Sequence, residues 1–141
     1  MILPDVNLLL YAYNTDAREY RVSKAWLKST IEGDYKLCLS WHTIMGFLRI
    51  STSFRIFPKP YTTEDALKIV SDLIDAPNTI VLRPETLHFR IFEKLVKVSR
   101  ISGANLMDAH IAALAIEHGA TVATTDRDFH RFDGLKIINP L

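Results

Sequence analysis

Ala104-Asn-Leu-Met-Asp-Ala-His-Ile-Ala-Ala-Leu-Ala-Ile-Glu-His-Gly-Ala-Thr-Val-Ala-Thr-Thr-Asp-Arg-Asp128 reads as a helix, a stop, a strand and two acids. Ala104–His118 is small and apolar nearly throughout, as a helix packed in a core would be. Gly119 stands in the position after a helix where glycine is favoured. Thr121–Thr125 is short and rich in β-branched residues, which suits a strand. Asp126 and Asp128 follow directly, and Asp108 interrupts the helix in its first turns. A carboxylate there gains from the helix dipole, but that gain does not explain a charge on a packed helix.

The rest of the chain alternates in the same way. Met1–Leu3 is a short strand, and Asp5 follows it. Helices are expected at Val6–Tyr13, Tyr20–Ile31 and Trp41–Thr52, with a strand at Tyr35–Ser40. Phe54–Tyr61 carries two prolines and reads as a loop. Thr62 opens a helix as its N-cap, with apolar positions through Ile74. Thr79–Leu82 is a strand, and Pro84 starts a helix to about Ser99. Asp128–Phe132 is a helical turn, and Leu135–Ile138 a last strand. Strands separated by helices imply βαβ units and a mainly parallel sheet covered on both faces. The expected fold class is α/β, one domain over residues 1–141. Ligands of such sheets bind beyond the carboxyl ends of the strands, where Asp5 and Asp126 both fall.

Composition narrows the class. The 141 residues are 48% hydrophobic and 23% charged, values of a globular chain. A net charge of +1 leaves only local basic patches to attract nucleic acid. Cys38 is the one cysteine, so an internal disulfide and a thiolate metal cage are excluded; its apolar surroundings suit a core residue. No secretory signal and no apolar run near the roughly 18–20 residues of a membrane span is present. A cytoplasmic protein with no membrane association is the expectation.

The acids Asp5, Asp108, Asp126 and Asp128 all lie at or within elements expected to be buried. Two carboxylates about 4 Å apart repel by roughly 4 kcal/mol at an effective dielectric near 20. Convergence therefore implies protonation or a cation. Without cysteine clusters or close histidine pairs, an all-oxygen set suits Mg²⁺ or Mn²⁺ rather than zinc. Taken singly, Asp5 also reads as an N-cap, and Asp126 and Asp128 as turn residues.

Five segments carry a resemblance. They are Asp5-Val-Asn-Leu-Leu-Leu-Tyr-Ala12, Gly46-Phe-Leu-Arg-Ile-Ser51, Asn105–Gly119, Ala123-Thr-Thr-Asp-Arg-Asp-Phe129 and Phe132–Leu141. In their order and spacing the chain resembles the PIN domain, specifically the VapC-type toxins of prokaryotic toxin–antitoxin pairs. The resemblance implies a three-layer α/β/α fold and an Mg²⁺- or Mn²⁺-dependent endoribonuclease that hydrolyses RNA phosphodiesters with a metal-activated water. It implies Asp5, Asp108 and Asp126 as metal carboxylates and Asp128 as a fourth catalytic acid. Asn7 and Thr125 would be polar residues behind them. A cognate antitoxin that blocks the acidic cleft, and homodimerisation, are further implications. The apolar helices Val6–Tyr13 and Trp41–Ile50 would suit a groove for the partner.

One departure stands out. Many PIN domains carry a glutamate in the helix of Phe47-Leu-Arg49. Here the candidate positions are Ile44 and Gly46, and no Asp or Glu occurs between Asp34 and Glu64. His42 in that helix reads as a proton donor, a substrate contact or a packing residue. For RNA, Arg90, Lys94 and Lys97 share a helix face, and Arg49, Arg55 and Lys59 cluster around the proline loop with Phe54, Phe57 and Tyr61 beside them. Such a face also serves simply as a solvated one. Two other readings compete. A PIN-like module that binds RNA or protein without cutting would follow from the missing glutamate. A haloacid-dehalogenase-like phosphatase would need a second acid at position 7, which is Asn.

Overall fold

The computed structural model describes residues 1–141. Five short strands, β1 (Ile2–Pro4), β2 (Leu37–Ser40), β3 (Thr79–Leu82), β4 (Thr121–Ala123) and β5 (Lys136–Ile138), form one sheet in the order β3-β2-β1-β4-β5. Every pairing is parallel. β1 sets Ile2, Leu3 and Pro4 against Thr121, Val122 and Ala123. The order runs outward from β1 in both directions, so the topological switch lies between β1 and β4. That crevice is where open α/β sheets place their ligands.

Six helices cover the sheet. They are α1 (Val6–Tyr13), α2 (Tyr20–Glu32), α3 (Trp41–Ser51), α4 (Thr63–Ile74), α5 (His88–Ser99) and α6 (Asn105–His118). Side chains alternate along each strand, and this builds two cores. Leu37 and Leu39 pack with Leu9, Leu27, Phe47 and Leu73 of α1–α4. Cys38, Leu3 and Val122 pack on the other face with Leu95 of α5 and Ala109–Ala115 of α6. The result is three layers, α/β/α, as expected. The Thr62 cap is present, its hydroxyl accepting the Asp65 amide at 3.1 Å.

Boundaries differ in places. Helix α5 begins at His88 rather than Pro84. The carboxylate of Glu117 draws the Glu85 and Leu87 amides to itself at 3.0 and 2.9 Å and holds that stretch as a loop. β2 starts at Leu37, two residues later than expected, and β4 stops at Ala123. Asp126 then caps a 3-10 turn over Arg127–Arg131.

Candidate functional site

Asp5 ends β1 and caps α1, its Oδ1 accepting the Val6 amide at 2.6 Å. Its Oδ2 accepts a hydrogen bond from the hydroxyl of Thr124 at 3.0 Å. The same hydroxyl oxygen accepts from Asn7 Nδ2 at 3.3 Å and from the Asp126 amide at 2.9 Å. Thr124 is buried and ties the ends of β1 and β4 together at the switch. Asp126 Oδ1 in turn accepts the Asp128 amide at 2.8 Å.

This corrects the sequence reading at Thr125. That residue makes no hydrogen bond to the acids; the hydroxyl among them is that of Thr124. A one-residue change along a strand end turns the side chain to the opposite face. Asn7 reaches Thr124 and no acid directly, and its Oδ1 is buried without a hydrogen-bond partner.

Asp108 enters from the first turns of α6 and feels the other acids. Burial pushes its carboxyl up to about 6, and the charges of Asp5, Asp126 and Asp128 add to this; Arg131 opposes it. Asp5 is also raised, chiefly by burial, against the hydrogen bonds from Thr124 and Val6; Asp126 raises it further and His42 lowers it. The four acids therefore share one electrostatic environment. They are not equally buried: Asp5 and Asp108 are half-buried, whereas Asp126 and Asp128 are exposed, contrary to the sequence expectation.

The donor chemistry fits a hard divalent cation. Neighbouring carboxylates help to raise Asp5 and Asp108, a repulsion that a cation relieves, and the buried Asn7 oxygen lacks a partner. As the side chains stand, no three His, Cys, Asp or Glu residues are grouped closely enough to hold a metal ion among them. Asp126 and Asp128 are open to water, which Mg²⁺ tolerates because it keeps several of its own waters.

Helix α3 supplies no carboxylate. Ile44 is in the core, and Gly46 is where α3 meets α1. A Cβ at Gly46 would lie 3.0 Å from Val6 Cγ2. The position is small because the helices touch there. What α3 brings to the site is His42, whose charge acts on Asp5. His42 stands in a row, with its ring 6.4 Å from that of His110, and His110 Nδ1 is 3.0 Å from His88 Nε2. His88 Nδ1 lies 3.6 Å from Glu117.

The expected RNA-binding cations lie on α3, on the proline loop and on α5. Arg49, Arg55, Arg90 and Lys94 are exposed and form no ion pair, while Lys97 pairs with Glu93 at 2.8 Å. Phe54 is 84% exposed, but Phe57 is buried and the Tyr61 hydroxyl donates to the Tyr13 carbonyl, so these two anchor the proline loop. The cation that acts on Asp108 is Arg131, which sequence reasoning missed. Its signal was the spacing of Asp128 and Arg131, three apart in an expected helical turn.

A PIN-domain family model matches residues 2–135. The chain belongs to the PIN-domain family. This PIN domain is 36% identical over 141 residues to ribonuclease VapC37 of Mycobacterium tuberculosis, covering 99% of this chain and 97% of the relative. It is also 36% identical to ribonuclease VapC33 of Mycobacterium tuberculosis, covering 100% and 99%. Among solved structures, VapBC2 of Rickettsia felis bound to a promoter DNA fragment matches with a TM-score of 0.72 at 17% identity, over 99% of this chain and 98% of that one. VapC20 of Mycobacterium tuberculosis, described as a sarcin–ricin loop cleaving toxin, matches with a TM-score of 0.69 at 16% identity, over 96% and 99%. At such identities the structural likeness carries the fold, and the VapC type rests on the sequence relatives.

Proposed function

We propose that this PIN domain is a divalent-metal-dependent endoribonuclease acting as the toxin of a toxin–antitoxin pair, as one domain over residues 1–141. What supports the reading is that Thr124 ties Asp5 and Asp126 together at the sheet switch, with Asp108 near enough that their charges add to burial in raising its carboxyl to about 6. Asp5, Asp108 and Asp126 would hold Mg²⁺ or Mn²⁺, with the buried Asn7 oxygen behind them. When bound, such an ion polarises a phosphoryl oxygen and lowers the pKa of water.

The chain's own residues set up the rest. Val6 and Thr124 fix both oxygens of Asp5, so its carboxylate is oriented before substrate arrives. Positive charge entering the cluster would lower the raised pKa of Asp108 and favour its ionised form. His42 faces Asp5 from α3 and is held toward its neutral form, first by burial and also by Arg49, against Asp5. A neutral imidazole there accepts a proton rather than donating one, so His42 would serve as a base or a substrate contact. Water attack needs no neighbouring 2′-hydroxyl and leaves 5′-phosphate and 3′-hydroxyl ends.

The partners follow the same reading. Relatives in solved toxin–antitoxin complexes support a cognate antitoxin. A cavity of about 250 Å³ between α1 and α2, lined by Ala12, Tyr13, Leu27 and Ile31 with Lys24 and Glu32 at its rim, suits an apolar side chain of such a partner. That groove lies between α1 and α2; α1 and α3 instead close on each other at Gly46. Trp41 and Met45 on α3 and Phe89 on α5 are more than half exposed, which supports a homodimer. No helix is long and apolar enough to cross a membrane. The cytoplasm, where RNA is found, is the proposed place of action.

The absence of an α3 carboxylate favours a second reading, a module that binds RNA without cutting it. Purified, antitoxin-free protein incubated with RNA in Mg²⁺, Mn²⁺ or EDTA separates the two. Metal-dependent cutting with 5′-phosphate ends, lost in Asp108→Asn, supports the nuclease. Binding without cutting by folded, metal-loaded protein supports the module.

A further inference from the structure

Asp128 is already engaged. Its Oδ2 pairs with Arg131 Nη2 at 2.6 Å, and its carbonyl accepts Arg131 Nε at 2.8 Å. The backbone beneath this pair is held from both ends. Asp126 caps the turn through the Asp128 amide, and the Arg131 carbonyl accepts the Ser99 hydroxyl at 3.1 Å. Phe129 and Phe132, on either side of Arg131, are buried. The guanidinium is thus anchored along one edge, with its remaining N–H donors uncommitted and its side chain 28% exposed.

We propose that Arg131 is the phosphate-binding residue of this centre, and that Asp128 is a positioning residue that holds it rather than a ligand of the cation. The inference rests on the nuclease reading of the site. An ion pair this exposed adds little to stability, so stability does not account for it. What it does fix is the direction of a planar fork suited to two oxygens of one phosphate. Charge places it as well. Asp5, Asp108 and Asp126 carry three negative charges, a divalent cation returns two, and a phosphodiester adds one more. A further cation offsets the excess, and Arg131 is near enough to act on Asp108. Arg49, Arg55 and Arg90 are exposed without any such anchor.

The test compares wild type, Arg131→Gln, Arg131→Lys and Asp128→Asn, each checked for folding by circular dichroism. Three quantities are read: Mn²⁺ affinity, affinity for a single-stranded RNA oligonucleotide in EDTA, and kcat and KM for RNA cleavage. Arg131→Gln is expected to weaken oligonucleotide binding about tenfold and kcat/KM about 10²-fold, with Mn²⁺ binding no weaker. Arg131→Lys should recover RNA binding more than kcat, because the charge returns without the fork. Asp128→Asn should act in the same direction as Arg131→Gln, more weakly, and spare Mn²⁺ binding. The inference is overturned if Asp128→Asn weakens Mn²⁺ binding tenfold or more, or if Arg131→Gln leaves RNA binding and rate at wild-type values. If wild type cuts no RNA while Arg131→Gln still loses oligonucleotide binding, the nuclease reading fails and the phosphate-binding assignment stands.

Discussion

Replacing Asp108 with asparagine should stabilise the metal-free protein, and only above about pH 4. The variant keeps the shape of the side chain and removes its charge, and no hydrogen bond in the structure depends on that charge. Burial and the neighbouring acids raise the carboxyl from 3.8 to about 6. Between those values the unfolded chain has released the proton that the folded chain retains. Stability therefore falls as pH rises through this window and levels off above it. The shift corresponds to roughly 3 kcal/mol. Water reaches this half-buried group, so the gain to expect at pH 8 is about 1–3 kcal/mol. For a domain of this size that is about 3–10 °C in Tm. Thermal melts of both proteins in EDTA at about pH 3 and pH 8 make the comparison. Near-equal stability at the low pH and a more stable variant at the high pH are expected. A variant that is no more stable at pH 8, or equally favoured at both, would refute the claim that the acids crowd one another. Millimolar Mg²⁺ should reverse the order at pH 8, because it stabilises the protein that binds it.

Thr124→Val removes the hydroxyl shared by Asp5, Asn7 and the Asp126 amide and should cost about 1–3 kcal/mol, whereas Thr125→Val should stay within about 0.5 kcal/mol in the same denaturant titration. Gly46→Glu should not restore a stronger nuclease; with Val6 Cγ2 3.0 Å from the added Cβ it should destabilise by about 1–3 kcal/mol, and Val6→Ala in the same chain should relieve part of that in a melt. Glu117→Ala frees the Glu85 and Leu87 amides and removes the partner of His88, and should lower stability by about 1–3 kcal/mol with faster amide hydrogen exchange over residues 84–90.

Much of the fold was legible because its elements are short and sharply punctuated. Gly119 after α6, Thr62 before α4 and the β-branched Thr79–Leu82 each mark an edge by local chemistry, and those edges stand where expected. The start of α5 was not legible, since Glu117, some thirty residues away in sequence, holds Glu85 and Leu87 out of the helix. In the site, Asp5 and Asp126 stand at the strand ends where they were expected, and Asp108 in the first turn of an apolar helix. Side-chain direction could not be read. The turn of one residue that separates Thr124 from Thr125 depends on where β4 leaves the ladder. The engagement of Asp128 with Arg131 depends on a turn geometry that sequence marks only by a three-residue spacing.

Asp5, Asp108 and Asp126 are proposed to form one cation-holding cluster. Paramagnetic broadening of backbone amide signals by substoichiometric Mn²⁺ tests it most directly. The expected result is broadening centred on Asp5, Asp108 and Asp126, lost in Asp108→Asn. Broadening centred elsewhere, or none at any Mn²⁺ concentration that leaves the protein folded, would contradict it.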